Sequence, residues 1–477
     1  TGLIFNVDGY TLTGSRVLLS TSTGLTALPV TVTSAGHTTT IASNIGPIGG
    51  SWGIDKRGDG TLAVTGTATY SGATTVSGGV LSIGNGGTTG DIQSTSQVTV
   101  ASGTVLRFNR SDAYTFNDRI AGAGGVEQAG SGTTTLSASF GNSYSGPTSV
   151  TRGTLAYGVS SAVAAGSAIT VAPGATLNVN SRPAVTRTAD TTVNGTLALG
   201  TNAQIALNSG THTLAAITGT GTITVGPGAT LTLSGAIANT GVNITLAGGT
   251  LNTGSFTHSL GALRVTDDST IDFGSSGNSS LTVSSLDVTA GKLLSASNWQ
   301  AGARRFFAAA VTGSPARDTI NLTPLNQVAL AGNSPAVTLW ASGTPGELLV
   351  ATLTYWDTVA NNGAVDGGTG GWDASLANWT QSTGAGNGVW AGGTNTAVFQ
   401  GAAGTVTVTG TQSIGGLTFN TSGYTLSGGT LSLAQASTVT LGSNSATVGS
   451  SFTGAYGLTV SGSGTGSIFT MAGTASN

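Results

Sequence analysis

The sequence predicts an all-β chain folded as a β-solenoid, with a denser capping and junction region. Three observations carry that prediction. Glycine fills 78 of 477 positions, and only 6% of residues are charged. Apolar residues nevertheless make up 38%, whereas disordered chains are poor in β-branched and apolar side chains. Short runs in which Val, Ile or Leu alternates with Thr or Ser then recur along most of the length. Alternation with period 2 gives each run one buried and one wet face, and a spacing of roughly 20–25 residues marks a stacked repeat.

The runs follow in order: GTLAVTG (Gly60 to Gly66), TTVSGGVLSIG (Thr74 to Gly84), SQVTVASGTVLRF (Ser96 to Phe108), SAITVAPGATLNV (Ser167 to Val179), NGTLALG (Asn194 to Gly200), GTITVGPGATLTLSG (Gly221 to Gly235) and NITLAGGTLNTG (Asn243 to Gly254). Each reads as strand, tight glycine turn, strand. Coils stacked about 4.8 Å apart turn inward positions into ladders of like residues, which Val, Ile, Leu and Ala fill well. Corners need positive φ, which Gly and Asn supply at low cost. Outward Thr rows suit strands and stay soluble without charge. The best helical window, Ser160 to Ala168, is short and broken by Gly166. A β-sandwich would also space its strands closely, but aromatics at 6% are sparse for such a core, and the coil motif repeats.

The chain also matches itself. TGLIFNVDGYTLTG (Thr1 to Gly14) aligns without a gap on GGLTFNTSGYTLSG (Gly415 to Gly428) at a constant offset of 414. Phe5 pairs with Phe419, Tyr10 with Tyr424 and Leu12 with Leu426. The expectation is a tandem array of such units cut out of register. Residues 1–254 are the solenoid body of one unit and 255–354, richer in bulky and charged residues, its C-terminal cap. Residues 355–404, holding Trp356, Trp372, Trp379 and Trp390, form a junction segment. Residues 405–477 are the first coils of the next unit.

A formal net charge of −3 offers no basic field for nucleic acid or an anionic membrane. No apolar run reaches the roughly 20 residues of a membrane helix, so membrane attachment is expected only through an anchor outside this segment. Cysteine is absent, which fits export without requiring it.

At GDGTLAVTGTATYSGATTVSGGVLSIG (Gly58 to Gly84) the chain resembles the autotransporter-associated β-strand repeat. Gly60, Thr61, Leu62, Gly66, Tyr70, Gly72, Thr74, Val76, Gly79 and Leu81 hold the matching places, and Ala68 departs from the preferred Asn. A looser copy keeps Tyr144, Gly146, Thr148, Val150, Gly153 and Leu155. The tryptophan segment and the STIDFG, SNW and GEL pieces (from Ser269, Ser297 and Gly346) resemble the flanks of large bacterial surface proteins that carry these repeats. The resemblance implies an exported right-handed parallel β-helix at a bacterial cell surface, and no fixed activity.

Candidate sites are few. Parallel β-helices can carry carbohydrate chemistry, which needs converging carboxylates; Asp267, Asp268 and Asp272 form one cluster, and Asp55, Lys56, Arg57 and Asp59 another. Solvated turns explain both, and no catalytic residue is assigned. Asp366 and Asp373 stand in a Gly/Asn-rich stretch that a Ca²⁺ loop could use, yet a plain turn explains it. His37, His212 and His258 are scattered, so no metal or cofactor is expected. Trp372, Trp379 and Trp390 could stack on glycans or contact another unit, or simply pack the junction. Arg304, Arg305, Phe306 and Phe307 form either an interaction patch or an apolar edge. The expected function is structural and non-enzymatic: an elongated or filamentous extracellular array with head-to-tail or lateral self-association. The alternative is an adhesin for glycans or cell surfaces, and a polysaccharide-degrading enzyme ranks third.

Overall fold

The computed structural model describes residues 2–19, 26–47, 51–93, 95–300, 303–311, 323–324, 328–330, 338–340, 346–350, 354–360, 362–382, 384, 386–393, 395–464 and 466–476. The chain forms two compact units, Thr1–Ala310 and Val311–Asn477. Among the described residues there are strands and turns but no helix.

In the first unit every described strand pair is parallel. One inward ladder runs unbroken through Ile41, Val64, Ile83, Phe108, Gln128, Val150, Val171, Val193, Leu214 and Leu233. Each rung lies on the next coil, so a coil takes about twenty residues, the spacing expected of a solenoid. A second ladder joins Val185, Ile205, Ile223, Ile244, Leu263 and Leu286. All of these except Gln128 are apolar and all are buried. At about 25 cal/mol per Å² of apolar surface, each such side chain contributes about 1.5–3 kcal/mol on burial.

Close stacking explains much of the glycine. Gly79 and Gly153 both sit at φ +59°, and a Cβ there would lie 2.4 Å from Gly60 O and 2.3 Å from Gly132 O. Gly72 and Gly146 have ordinary φ but the same constraint: their Cβ would come within 2.4 Å of Trp52 C and 2.3 Å of Gly124 O. Only a residue without a side chain lets successive coils approach this far.

The coils do not stop at Gly254. Thr257–Val265 stacks on Ser280–Val288, and Ser279–Val283 on Arg304–Ala308, all in parallel. The bulkier side chains of this stretch help fill the interior of these coils. Phe273 and Phe306 are both buried, with ring centroids 6.0 Å apart. Most of residues 312–353, including much of the expected cap, lie outside the described residues.

The second unit has its own two ladders. Trp372 and Val408 pair on one, which continues through Thr405–Thr407 against Thr425–Ser427 and Tyr424–Leu426 against Ala446–Val448. The other runs through Thr396–Phe399, Gly416–Phe419 and Thr438–Thr440. Antiparallel pairs occur here too, among them Tyr355–Trp356 with Trp379–Thr380.

Candidate functional site

The tryptophans are packed in. Trp356, Trp372 and Trp379 are fully buried and Trp390 is 7% exposed. Their rings meet one another, with centroids 4.4 Å apart for Trp379 and Trp390 and 4.7 Å for Trp372 and Trp379. Phe399 joins them and stacks at 5.0 Å and 16° on Phe419 of the following coil. Trp356 Nε1 donates to Gly368 O and Trp390 Nε1 to Ser413 O. A glycan platform needs an open ring face, and these faces are covered by each other. The stacking role considered for Trp372, Trp379 and Trp390 therefore gives way to core packing.

The carboxylate clusters are engaged in holding turns. Asp267 pairs with Lys292 at 2.7 Å, and that partner holds the carboxyl below its usual range. Asp268 accepts from Leu293 N, while Asp272 accepts from Gly274 N and from the amides of Asn298 and Asn252. The three tie successive coils together. Asp373 caps Ser375 N and Leu376 N, and Asp366 accepts from Asn362 Nδ2. Among the described residues, no three His, Asp or Glu side chains gather as metal ligands. Phe306 points into the core, and Arg305 lies over the Phe307 ring at 4.6 Å.

Lys56 is the surprise of the second charged cluster. Asp55 bonds Arg57 and Ser77 at the surface, but Lys56 is fully buried. Its Nζ donates to three carbonyls, Arg57 O at 2.9 Å, Gly58 O at 2.7 Å and Gly78 O at 2.8 Å. Burial pushes its pKa down to about 8, against the opposing pull of Asp59 and Asp55. Seventy-two positions on, Gln128 occupies the same place and its Nε2 donates to Gly130 O at 2.8 Å.

A matching polar relay sits deeper in both segments. Tyr70 Oη lies 2.8 Å from Thr74 Oγ1, which bonds Thr95 Oγ1 at 3.1 Å, and Thr95 donates on to Gly72 O at 2.7 Å. In the later copy Tyr144 Oη lies 2.7 Å from Thr148 Oγ1, Thr148 lies 2.8 Å from Ser167 Oγ, and Ser167 donates to Gly146 O at 2.7 Å. The phenols are shut from water, which pushes both pKa values up. Each relay satisfies buried hydroxyls across two coils.

Residues 54–83 and 126–156 match the family model described as Passenger-associated-transport-repeat. Both segments are similar to that repeat. The matched residues include Tyr70 and Thr74, Tyr144 and Thr148, and the stacking glycines, while Thr95 and Ser167 lie beyond them. Over 120 residues, 24% of the chain, the sequence is 42% identical to the Adhesin BmaC autotransporter of Brucella suis biovar 1. The match spans 4% of that protein's length. No solved structure matches the chain.

Sequence reading found Tyr70, Tyr144, Thr74 and Thr148 as motif positions, but not the Thr95 and Ser167 that complete the relays one coil later. It also missed Lys56 and Gln128 as interior groups. The available signal was alternation: Ile54 and Lys56, like Val126 and Gln128, are two residues apart on one strand and so share a face.

Proposed function

We propose that this chain is a non-enzymatic, extracellular segment of a large bacterial surface protein, in which β-helical units joined head to tail supply length. The continuous inward ladder from Ile41 to Leu233 carries this reading. A stack whose energy lies in neighbour-to-neighbour contacts can extend without limit by adding coils, and the ladder positions other than Gln128 are filled by buried apolar side chains. The passenger-associated repeats support export to the surface. The engaged carboxylates support a role without catalysis.

Electron microscopy of chains carrying several tandem units tests the proposal. Fibres should lengthen in proportion to coil number, by about 4.8 Å per coil. Compact particles whose length does not grow with unit number would overturn it.

A second reading, adhesion to glycans or cell surfaces, is favoured by the adhesin relative. Binding would then use outward Thr and Ser rows, since the tryptophan faces are covered. Adherence of beads coated with this chain to host cells or glycan arrays, compared with beads coated with an unrelated protein, tests it; equal adherence would exclude it.

A further inference from the structure

The two self-matching coils differ in what covers them. In the second unit, Leu417–Phe419 has strands on both edges: Ala397–Phe399 on one side and Val439–Thr440 on the other. Thr425 and Leu426 likewise pair with Thr405 and Val406 before them and with Thr447 and Val448 after. The equivalent strands of the first unit, Leu3–Phe5 and Thr11–Leu12, pair only with the following coil, at Val30–Val32 and Thr40–Ile41. No described strand lies on their other edge.

The side chains follow the pairing. Tyr424 is 1% exposed and its Oη donates to Gln400 O at 2.6 Å, whereas Tyr10 is 54% exposed. Phe419 is buried under Phe399, whereas the half-buried Phe5 has its ring 6.0 Å from that of the exposed Tyr10. Ile4 at 66% and Val7 at 59% are exposed as well. An open parallel edge beside exposed apolar side chains is a template for another strand.

We infer that the coil at Leu3–Leu12 is a receptor surface for a tryptophan-rich module of the kind formed by residues 355–404, joined ahead of it in the same chain. The second unit supplies the fit. A strand like Thr396–Phe399 adds in parallel to Leu3–Phe5, its aromatic ring stacks on Phe5, and a carbonyl like Gln400 O accepts the Tyr10 hydroxyl. This inference rests on the head-to-tail reading, but it concerns one docking surface and not the length of the array.

Nitration of Tyr10 by tetranitromethane tests it, with Tyr424 as the buried reference in the same molecule. In the 477-residue chain, Tyr10 should react freely and Tyr424 slowly. In a chain lengthened by a second copy of residues 355–414 ahead of Thr1, Tyr10 nitration should fall at least about tenfold. Equal Tyr10 rates in the two chains would overturn the inference. So would Tyr10 protection in the unlengthened chain that appears together with a doubled mass, because the occupant would then be a second copy. The unlengthened chain offers a second arm. Trp372→Ser with Trp379→Ser should expose Tyr424 to a Tyr10-like rate; a Tyr424 that stays protected shows that the module is not what covers this coil. Each outcome leaves the fibre-length test free to succeed or fail on its own.

Discussion

The two segments that match the passenger-associated transport repeat share a relay and differ in one buried group. Tyr70, Thr74 and Thr95 reappear as Tyr144, Thr148 and Ser167, with oxygen-to-oxygen distances that agree to within a few tenths of an ångström. At the inward position two residues into each segment, however, one repeat has a cation, Lys56, and the other a neutral amide, Gln128. Both donate to equivalent carbonyls, Gly58 O and Gly130 O. The interior thus requires a donor at this place and does not require charge. A buried ammonium costs more to desolvate than an amide, so the first repeat carries a burden the second lacks.

The largest test of the likeness is removal of the phenol. Tyr70→Ala and Tyr144→Ala should each cost about 3–5 kcal/mol, through lost packing and orphaned relay hydroxyls. Chemical denaturation measures both, and a difference of more than about half between them would break the equivalence. Next comes the stacking glycine. Gly146→Ala sets a Cβ against Gly124 O and should cost about 1–3 kcal/mol, matched by Gly72→Ala against the Trp52 backbone. Thr148→Val keeps the shape but deprives Tyr144 and Ser167 of their shared partner, for about 1–2 kcal/mol.

A pH dependence separates the repeats. The Lys56 pKa is about 8 when folded, against an ordinary 10.5. Between those values the unfolded chain binds more protons, so stability should rise as pH increases from about 8 through 10.5. Below about 8 both states are protonated and this contribution is flat. Lys56→Gln should abolish the slope, and Gln128→Lys should create a second one. Melting temperatures across that pH window decide the matter; an unchanged slope in Lys56→Gln would place its origin elsewhere.

The coil motif was legible because apolar and hydroxyl residues alternate and glycines punctuate the turns. Leu62, Leu81 and Leu106 could be placed inside on that basis, and they share one ladder. Polar residues on inward positions were not placed, because charge was read as a sign of a turn. Lys56, Gln128, Arg187, His212 and His258 are all buried, each two residues along the strand from an apolar inward neighbour. Alternation outranks residue type in so narrow an interior, since a strand cannot turn one side chain outward without turning its neighbours too. The burial of the tryptophans was among the sequence alternatives, but their mutual packing was not visible, because Trp356 and Trp379, like Trp372 and Trp390, are far apart in sequence and meet only through tertiary folding.

The ladders also say how such a chain could acquire its structure. Rungs in the first unit join residues some twenty to thirty positions apart, from Leu3 with Val30 to Leu281 with Phe306. That separation does not grow with chain length. Loop-closure entropy is therefore met afresh and in small amounts at each coil, and relative contact order falls as coils are added. A chain that becomes available gradually can zip up turn by turn, each finished coil serving as the template for the next.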